Sequence, residues 1–367
     1  MAFFEFDKIK ISAISAAVPT EVVNVESFEN NFGLEYIRKF SDSTGIKQFR
    51  RTQPHQTASD LCYVAAENIL RKKNISRDEI GVLIFVAHST DYRRPATACV
   101  LHKRLGLSKD CAAFDVNLGC SAFVYGLQIG CSMLENSEAT KAIVLVGETL
   151  TKMVNPKDKS VAMLFGDGGG AVLLEKTDEN SEITGLLKTD GEGYRAIIAP
   201  AGGFRNIDAP VTEFTWPDGN VRSLYNSTMQ GEDVFAFTIS SVPKTIKEFL
   251  SKKGTTIEDY DCLAFHQANQ LIQKMLCKKL KCDETKMPLC LDRYGNPSAP
   301  AIPMVICDRY GKDNKDRIIK FLMCGFGVGL SWGVVSATIN SSNIYPIIET
   351  DEIFEEGIIN CPEDFKK

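Results

Sequence analysis

The 367 residues are 44% hydrophobic and 24% charged with a formal net charge of −5, enough apolar material for a large core and a charge that disfavours a nucleic-acid partner. No apolar run reaches the roughly 18 residues of a membrane span, so no membrane partner is expected. Twelve cysteines, only four histidines (His55, His88, His102 and His266) and no Cys-x-x-Cys pair argue against a structural zinc site, so no metal is expected and most cysteines read as small buried hydrophobes of a reducing compartment.

The chain opens with MAFFEFDKIKISAIS, interrupted by Glu5, Asp7, Lys8 and Lys10; without a signal-peptide core it reads as cytoplasmic. Helical periodicity predicts Ala58–Lys73, followed by an apolar strand over Val82–Ala87. Ala112–Val116 reads as a strand end, Asn117-Leu118-Gly119 as a tight turn and Ser121–Leu134 as an apolar helix. Strands follow at Ala142–Gly147 and Gly170–Leu174. The stretch 191–230, rich in Gly, Pro, Asn and Asp, reads as an excursion over the surface of the kind that shapes substrate sites. Beyond it, helices are predicted at Val242–Lys252 and Gln270–Lys279, and strands at Cys262–Phe265, Ile318–Met323 and Gly333–Ile339. The alternation is that of an α/β protein. The acidic stretch past Asn340 reads as an appendage.

An internal repeat underlies this order. LRKKNISRDEIGVLIF (70–85) and LSKKGTTIEDYDCLAF (250–265) align at a constant offset of 250 − 70 = 180, each ending a helix, turning through an acidic pair and entering a buried strand. Two similar halves follow, 1–180 and 181–340, with 341–367 as the acidic tail.

Four places carry candidate chemistry. Cys120 lies on a strand-to-helix turn, where a helix N-terminus favours the thiolate; its alternative is a buried structural cysteine. His266 directly follows the strand Cys262–Phe265, where reactive groups often leave a sheet, and is otherwise a structural histidine. Asn296, in YGNPSAPAIP, is by itself a turn asparagine. The run Gly325-Phe326-Gly327-Val328-Gly329 can bring backbone N–H groups to an oxyanion. A strand-like segment rather than a helix follows it, so a dinucleotide loop is disfavoured and no cofactor is expected.

Taken in order, STGIKQFR (43–50), DVNLGCSAFVYGL (115–127), LFGDGGGAV (164–172), MQGEDVFAF (229–237), FHQAN (265–269), YGNPSAPAIP (294–303) and GFGVGLSWG (325–333) resemble the β-ketoacyl-ACP synthase III family of the thiolase superfamily. The resemblance runs from about Ile9 to Ile339 and includes the family's His-to-Asn interval, 296 − 266 = 30. It implies a thiolase fold: two pseudo-symmetric βαβαβαββ halves in a five-layered αβαβα architecture. It further implies that Cys120 takes an acyl group from a thioester. His266 and Asn296 would bind the carbonyl of malonyl-ACP as carbon dioxide leaves, and the N–H groups of Cys120 and Val328 would hold the tetrahedral adduct. Acyl carrier protein would dock on Lys159, Lys274, Lys278 and Lys279, and the enzyme would be a homodimer.

Departures narrow the substrate. Relatives primed by acetyl-CoA carry a tryptophan and an arginine where Lys39 and Ser43 stand, and an arginine where Leu271 stands. The expected donor is therefore acyl-ACP or an unusual acyl thioester, with acyl-CoA as the alternative. Arg94 replaces an apolar residue that closes the partner subunit's acyl pocket, which implies a polar or short acyl group. The competing activities are transfer of the Cys120 acyl group to an alcohol or amine without decarboxylation, and a non-catalytic acyl-ACP-binding subunit. A hydroxymethylglutaryl-CoA synthase-like reaction would need a carboxylic acid near Cys120, which no motif supplies.

Overall fold

The computed structural model describes residues 2–313 and 315–366. Its principal strands, numbered in chain order, are β1 (Ala2–Phe6), β2 (Ile9–Pro19), β3 (Ile80–Val86), β4 (Ala112–Val116), β5 (Lys141–Glu148), β6 (Gly168–Lys176), β7 (Ile183–Thr189), β8 (Cys262–Phe265), β9 (Ile318–Gly327), β10 (Ser331–Asn340) and β11 (Ile348–Thr350). The helices of eight residues or more are α1 (Leu34–Thr44), α2 (Ala58–Lys73), α3 (Thr97–Arg104), α4 (Ala122–Glu135), α5 (Gly231–Lys253), α6 (Gln270–Leu280) and α7 (Ala301–Tyr310).

The repeat is built the same way twice, down to its caps. Helix α2 ends on Asn74 and α5 on Gly254, both in the left-handed conformation that only Asn or Gly takes cheaply. Ser76 with Glu79, and Thr256 with Asp259, then form capping boxes on single 3-10 turns that lead into β3 and β8. Each pair is separated by the same 180 residues (254 − 74, 256 − 76).

The first sheet runs β11-β2-β6-β5-β3-β4 and the second β1-β7-β10-β9-β8. Position for position, β2-β6-β5-β3 matches β7-β10-β9-β8, including the antiparallel pairs and the final parallel one. The second half has no counterpart of β4 among the described residues. There Gln267 bonds the backbone with its side chain instead, donating to Pro288 O and accepting from Cys290 N–H.

Layers follow from which faces are apolar. Val82, Ile84 and Val86 of β3 face a central core with α4, α7 and the inner face of the second sheet, while Leu83 and Phe85 pack under α2. Leu322, Cys324 and Phe326 of β9 pack outward on α5 and α6, and Phe321 and Met323 inward. The stack is thus α2/α3, sheet, α4/α7, sheet, α5/α6, the five-layered thiolase architecture. Among the described residues no helix is long and apolar enough to cross a membrane.

Several elements exceed their sequence-based bounds. Strand β2, where no strand was predicted, is buried at every position but Lys10 yet reads IKISAISAAVP, and its small Ala and Ser side chains carry little strand signal. Helix α5 continues eleven residues before Val242 because Pro243 is accommodated inside it. The glycine-rich run is not all loop: β9 extends to Gly327, with Gly325 opposite Gly333 on β10. The acidic segment after Asn340 is not an appendage. Its β11 pairs with β2, Glu349 bonds Arg50 at 2.7 Å, and Phe354 N–H donates to Asp60.

Candidate active site

Cys120 sits where the sequence places it, on the turn between β4 and α4. Ala122 N–H donates to Gly119 O at 2.7 Å, closing that turn. The glycine run of β9 lies against it: a Cβ on Gly327 would stand 2.6 Å from Cys120 Cβ and 2.8 Å from Sγ, and one on Gly325 would stand 3.0 Å from Cys120 O. Only glycine lets the strand end pass so close to the Cys120 side chain. The thiolate advantage expected from the helix terminus is outweighed. Burial pushes the thiol above its ordinary range, opposed by Ser298, by the backbone of Val328 and by that of Cys120 itself.

His266 leaves the end of β8 with its N–H bonded to Cys324 O at 2.8 Å and its carbonyl accepting from Gln273. Its ring stands edge-on to Phe326, at 5.3 Å between centroids. Burial drives its pKa down to about 3, opposed by the Ser298 backbone, so the imidazole is neutral at physiological pH. Its buried Nδ1 has no hydrogen-bond partner among the described residues.

Asn296 is held by a two-way backbone exchange: its N–H donates to Leu164 O at 2.9 Å, and Gly166 N–H donates to its carbonyl at 3.1 Å. A Cβ on Gly166 would fall 2.1 Å from Tyr294 O, so the LFGDG and YGNPS loops can meet only at glycine. Asp167 locks the first loop by accepting from the N–H and hydroxyl groups of both Thr52 and Thr151. Ser298 N–H donates to Asn296 Oδ1 at 3.0 Å, which leaves the amide NH2 as the end able to donate into the cavity.

The three side chains line one cavity of about 810 Å³. Its walls include Leu150, Phe165 and Val328, and the first turn of α6 through Asn269 and Ile272. The 191–230 excursion supplies Ile197, Tyr225 and Met229, so it walls the cavity as well as crossing the surface. Arg222 anchors that excursion: it is fully buried, 2.7 Å from Asp158, and also bonded to Asp218 and Thr228.

The remaining expected residues stand apart from this cavity. Lys274, Lys278 and Lys279 are exposed on α6, and Lys159 is exposed with its carbonyl accepting from Tyr36 at 2.9 Å. Arg94 is exposed and does not line the cavity of its own chain. Lys39 is paired with Glu35 at 2.7 Å, and Leu271 is 47% exposed at the start of α6.

Two features escaped the sequence reading. Ser298, at φ 59°, brings its Oγ to 3.4 Å from Cys120 Sγ; the Asn-x-Ser spacing of an Asx turn was its one signal. His88 lines the cavity beside Glu148, a fully buried acid at the end of β5, with Nδ1 to Oε1 at 3.7 Å. Glu148 also lies close enough to Cys120 to push its thiol pKa up.

Comparison with known proteins gives a consistent picture. The family model for 3-oxoacyl-[acyl-carrier-protein (ACP)] synthase III matches residues 114–191, and that for its C-terminal part matches 250–339. The β-ketoacyl-[acyl-carrier-protein] synthase III of Caldanaerobacter subterraneus is 34% identical over 313 residues, 84% of this chain and 92% of the relative. That of Desulfitobacterium hafniense is 35% identical over 311 residues, 83% and 91% of the two chains. The crystal structure of a 3-oxoacyl-(acyl-carrier protein) synthase from Burkholderia xenovorans superposes with a TM-score of 0.90 at 33% identity, over 95% of this chain and 99% of the other.

Proposed function

The chain belongs to the 3-oxoacyl-[acyl-carrier-protein] synthase III family and is a condensing acyltransferase of that kind; we propose that it loads an acyl group on Cys120 and extends it with a malonyl unit. The observation that carries this reading is the convergence of Cys120, His266 and Asn296, from three separate segments, on one cavity with a backbone N–H at Val328 beside the sulfur.

Cys120 Sγ, as thiolate, adds to the donor's thioester carbonyl. The oxyanion forms between the N–H groups of Cys120 and Val328, its collapse breaks the donor's C–S bond, and the donor leaves as a thiolate that takes up the proton Cys120 gave up. Malonyl-ACP then enters with its thioester oxygen toward His266 and the Asn296 amide. Its carboxylate departs as carbon dioxide, and the C–C electron pair becomes an enolate held by these two neutral donors. A neutral imidazole suits this step, because it can donate without having been drawn into an ion pair with the malonyl carboxylate. The enolate carbon attacks the acyl carbonyl, a C–C bond forms, the C–S bond breaks, and Cys120 departs as thiolate.

The donor is acyl-ACP rather than acetyl-CoA. In support, the α1–α6 rim holds a paired Lys39 and an exposed Leu271 instead of groups that grip an adenine. Lys159, Lys274, Lys278 and Lys279 form the docking surface for the acidic carrier. The working unit is a homodimer joined along the edge strand β4, with Arg94 closing the partner subunit's acyl pocket.

The test is intact-protein mass spectrometry with acyl-CoA and acyl-ACP panels, followed by malonyl-ACP. Acyl gain in wild type but not in Cys120→Ala, with carbon dioxide release on malonyl-ACP addition, is the expected result. Acyl gain discharged by an alcohol or amine with no carbon dioxide would replace condensation by simple acyl transfer. Efficient loading from acetyl-CoA would overturn the assignment of the donor.

A further inference from the structure

Of the side chains with a titratable nitrogen or sulfur that line the cavity among the described residues, His88, Cys120 and His266, the proposed condensation uses two. His88 is the third, and it is built in. Glu148, with none of its side chain exposed, accepts from His88 N–H at 2.9 Å and from Ser89 through both N–H and hydroxyl, clamping the backbone that carries the ring. The imidazole lies over Gly119, where a Cβ would stand 2.7 Å from Cε1. The ring therefore packs on the residue that precedes Cys120, and both line the same cavity.

We infer that His88 selects the acyl group: the acyl chain carried by Cys120 bears a hydroxyl, and the ring nitrogen turned away from Glu148 accepts a hydrogen bond from it. This rests on the reading of Cys120 as the acyl carrier. Nδ1 faces the Glu148 side chain at 3.7 Å, so Nε2 is the nitrogen left for a substrate group. The ring is 28% exposed, and neither nitrogen has a hydrogen-bond partner among the described residues. Apolar neighbours such as Leu150 and Phe165 give a plain alkyl chain nothing to offer it, and leaving a built acceptor unpaired is what penalises such a substrate.

The experiment compares loading rates of butyryl-ACP with 2-, 3- and 4-hydroxybutyryl-ACP and succinyl-ACP, read as mass gain on Cys120. One hydroxy isomer should load about tenfold faster than butyryl, the discrimination a single net hydrogen bond supplies. His88→Phe should bring that isomer to parity with butyryl, and His88→Gln, whose amide oxygen still accepts, should retain most of the preference. Equal wild-type rates overturn the inference without any variant, as does a preference that survives in His88→Phe. Preference for succinyl over every hydroxy isomer also overturns it, because a carboxylate has no proton for a ring nitrogen to accept. If no donor loads Cys120, the reading of the nucleophile fails and the inference with it, an outcome distinct from loading without preference.

Discussion

Replacing Ser298 by alanine removes a side-chain hydroxyl that stands 3.4 Å from Cys120 Sγ. The substitution keeps the backbone N–H that holds Asn296 Oδ1, and alanine at φ 59° is strained about as serine is, so the loops should stay in place. Ser298 acts to lower a thiol pKa that burial raises, so its loss disfavours the thiolate. A net hydrogen bond of about 0.5–1.5 kcal/mol corresponds to a two- to twelvefold smaller thiolate fraction at any pH below the thiol's range. The assay is the rate of iodoacetamide alkylation resolved by peptide, with the exposed Cys99 and Cys361 as internal references. Cys120 should react several-fold more slowly in Ser298→Ala while the references are unchanged. An unchanged or faster Cys120 would refute the argument that this hydroxyl stabilises the sulfur's charge.

His266→Ala should leave acyl loading intact and slow carbon dioxide release from malonyl-ACP by about a hundred- to a thousandfold, the usual loss for one oxyanion donor. Because burial holds His266 at about 3 instead of its ordinary 6.5, release in the wild type should show no inflection near pH 6.5. The same depressed pKa sets a stability sign. The unfolded chain takes up a proton below 6.5 and the fold does not until about 3, so stability is lost as pH falls through that window. Urea melts of His266→Gln should show a smaller loss over the same range. Reversing Lys274, Lys278 and Lys279 to glutamate should raise KM for acyl-ACP and leave loading from a small acyl thioester unchanged; equal effects on both would remove the docking role. Leu271→Arg should improve loading from acyl-CoA by up to about fivefold, the worth of one exposed ion pair, and a fall would count against the altered rim.

Much of the fold was legible because it is written in local terms. Helix α2 and strand β8 match their sequence-based bounds, since each is a clean apolar period ended by a polar turn. The 180-residue repeat was visible in letters and recurs in cap geometry. What escaped was β2, whose Ala and Ser become strand only between two packed layers, and β11 with the segment after it, whose Glu349 and Glu352 gain partners only when Arg50 and Arg104 stand opposite.

The candidate site divides in the same way. Cys120, His266 and Asn296 each announced a turn or a strand end. Their convergence does not exist at the level of spacing, because the two halves must stack before residues 120, 266 and 296 share a cavity. The sequence alone determined which residue types stand at the helix start, the strand end and the Asn-Pro turn. Tertiary structure decided that burial outweighs the helix terminus at Cys120, that Ser298 faces the sulfur, and that Glu148 stands behind His88. Dehydration and through-space contact set a group's charge and partners, and neither is a property of neighbours along the chain.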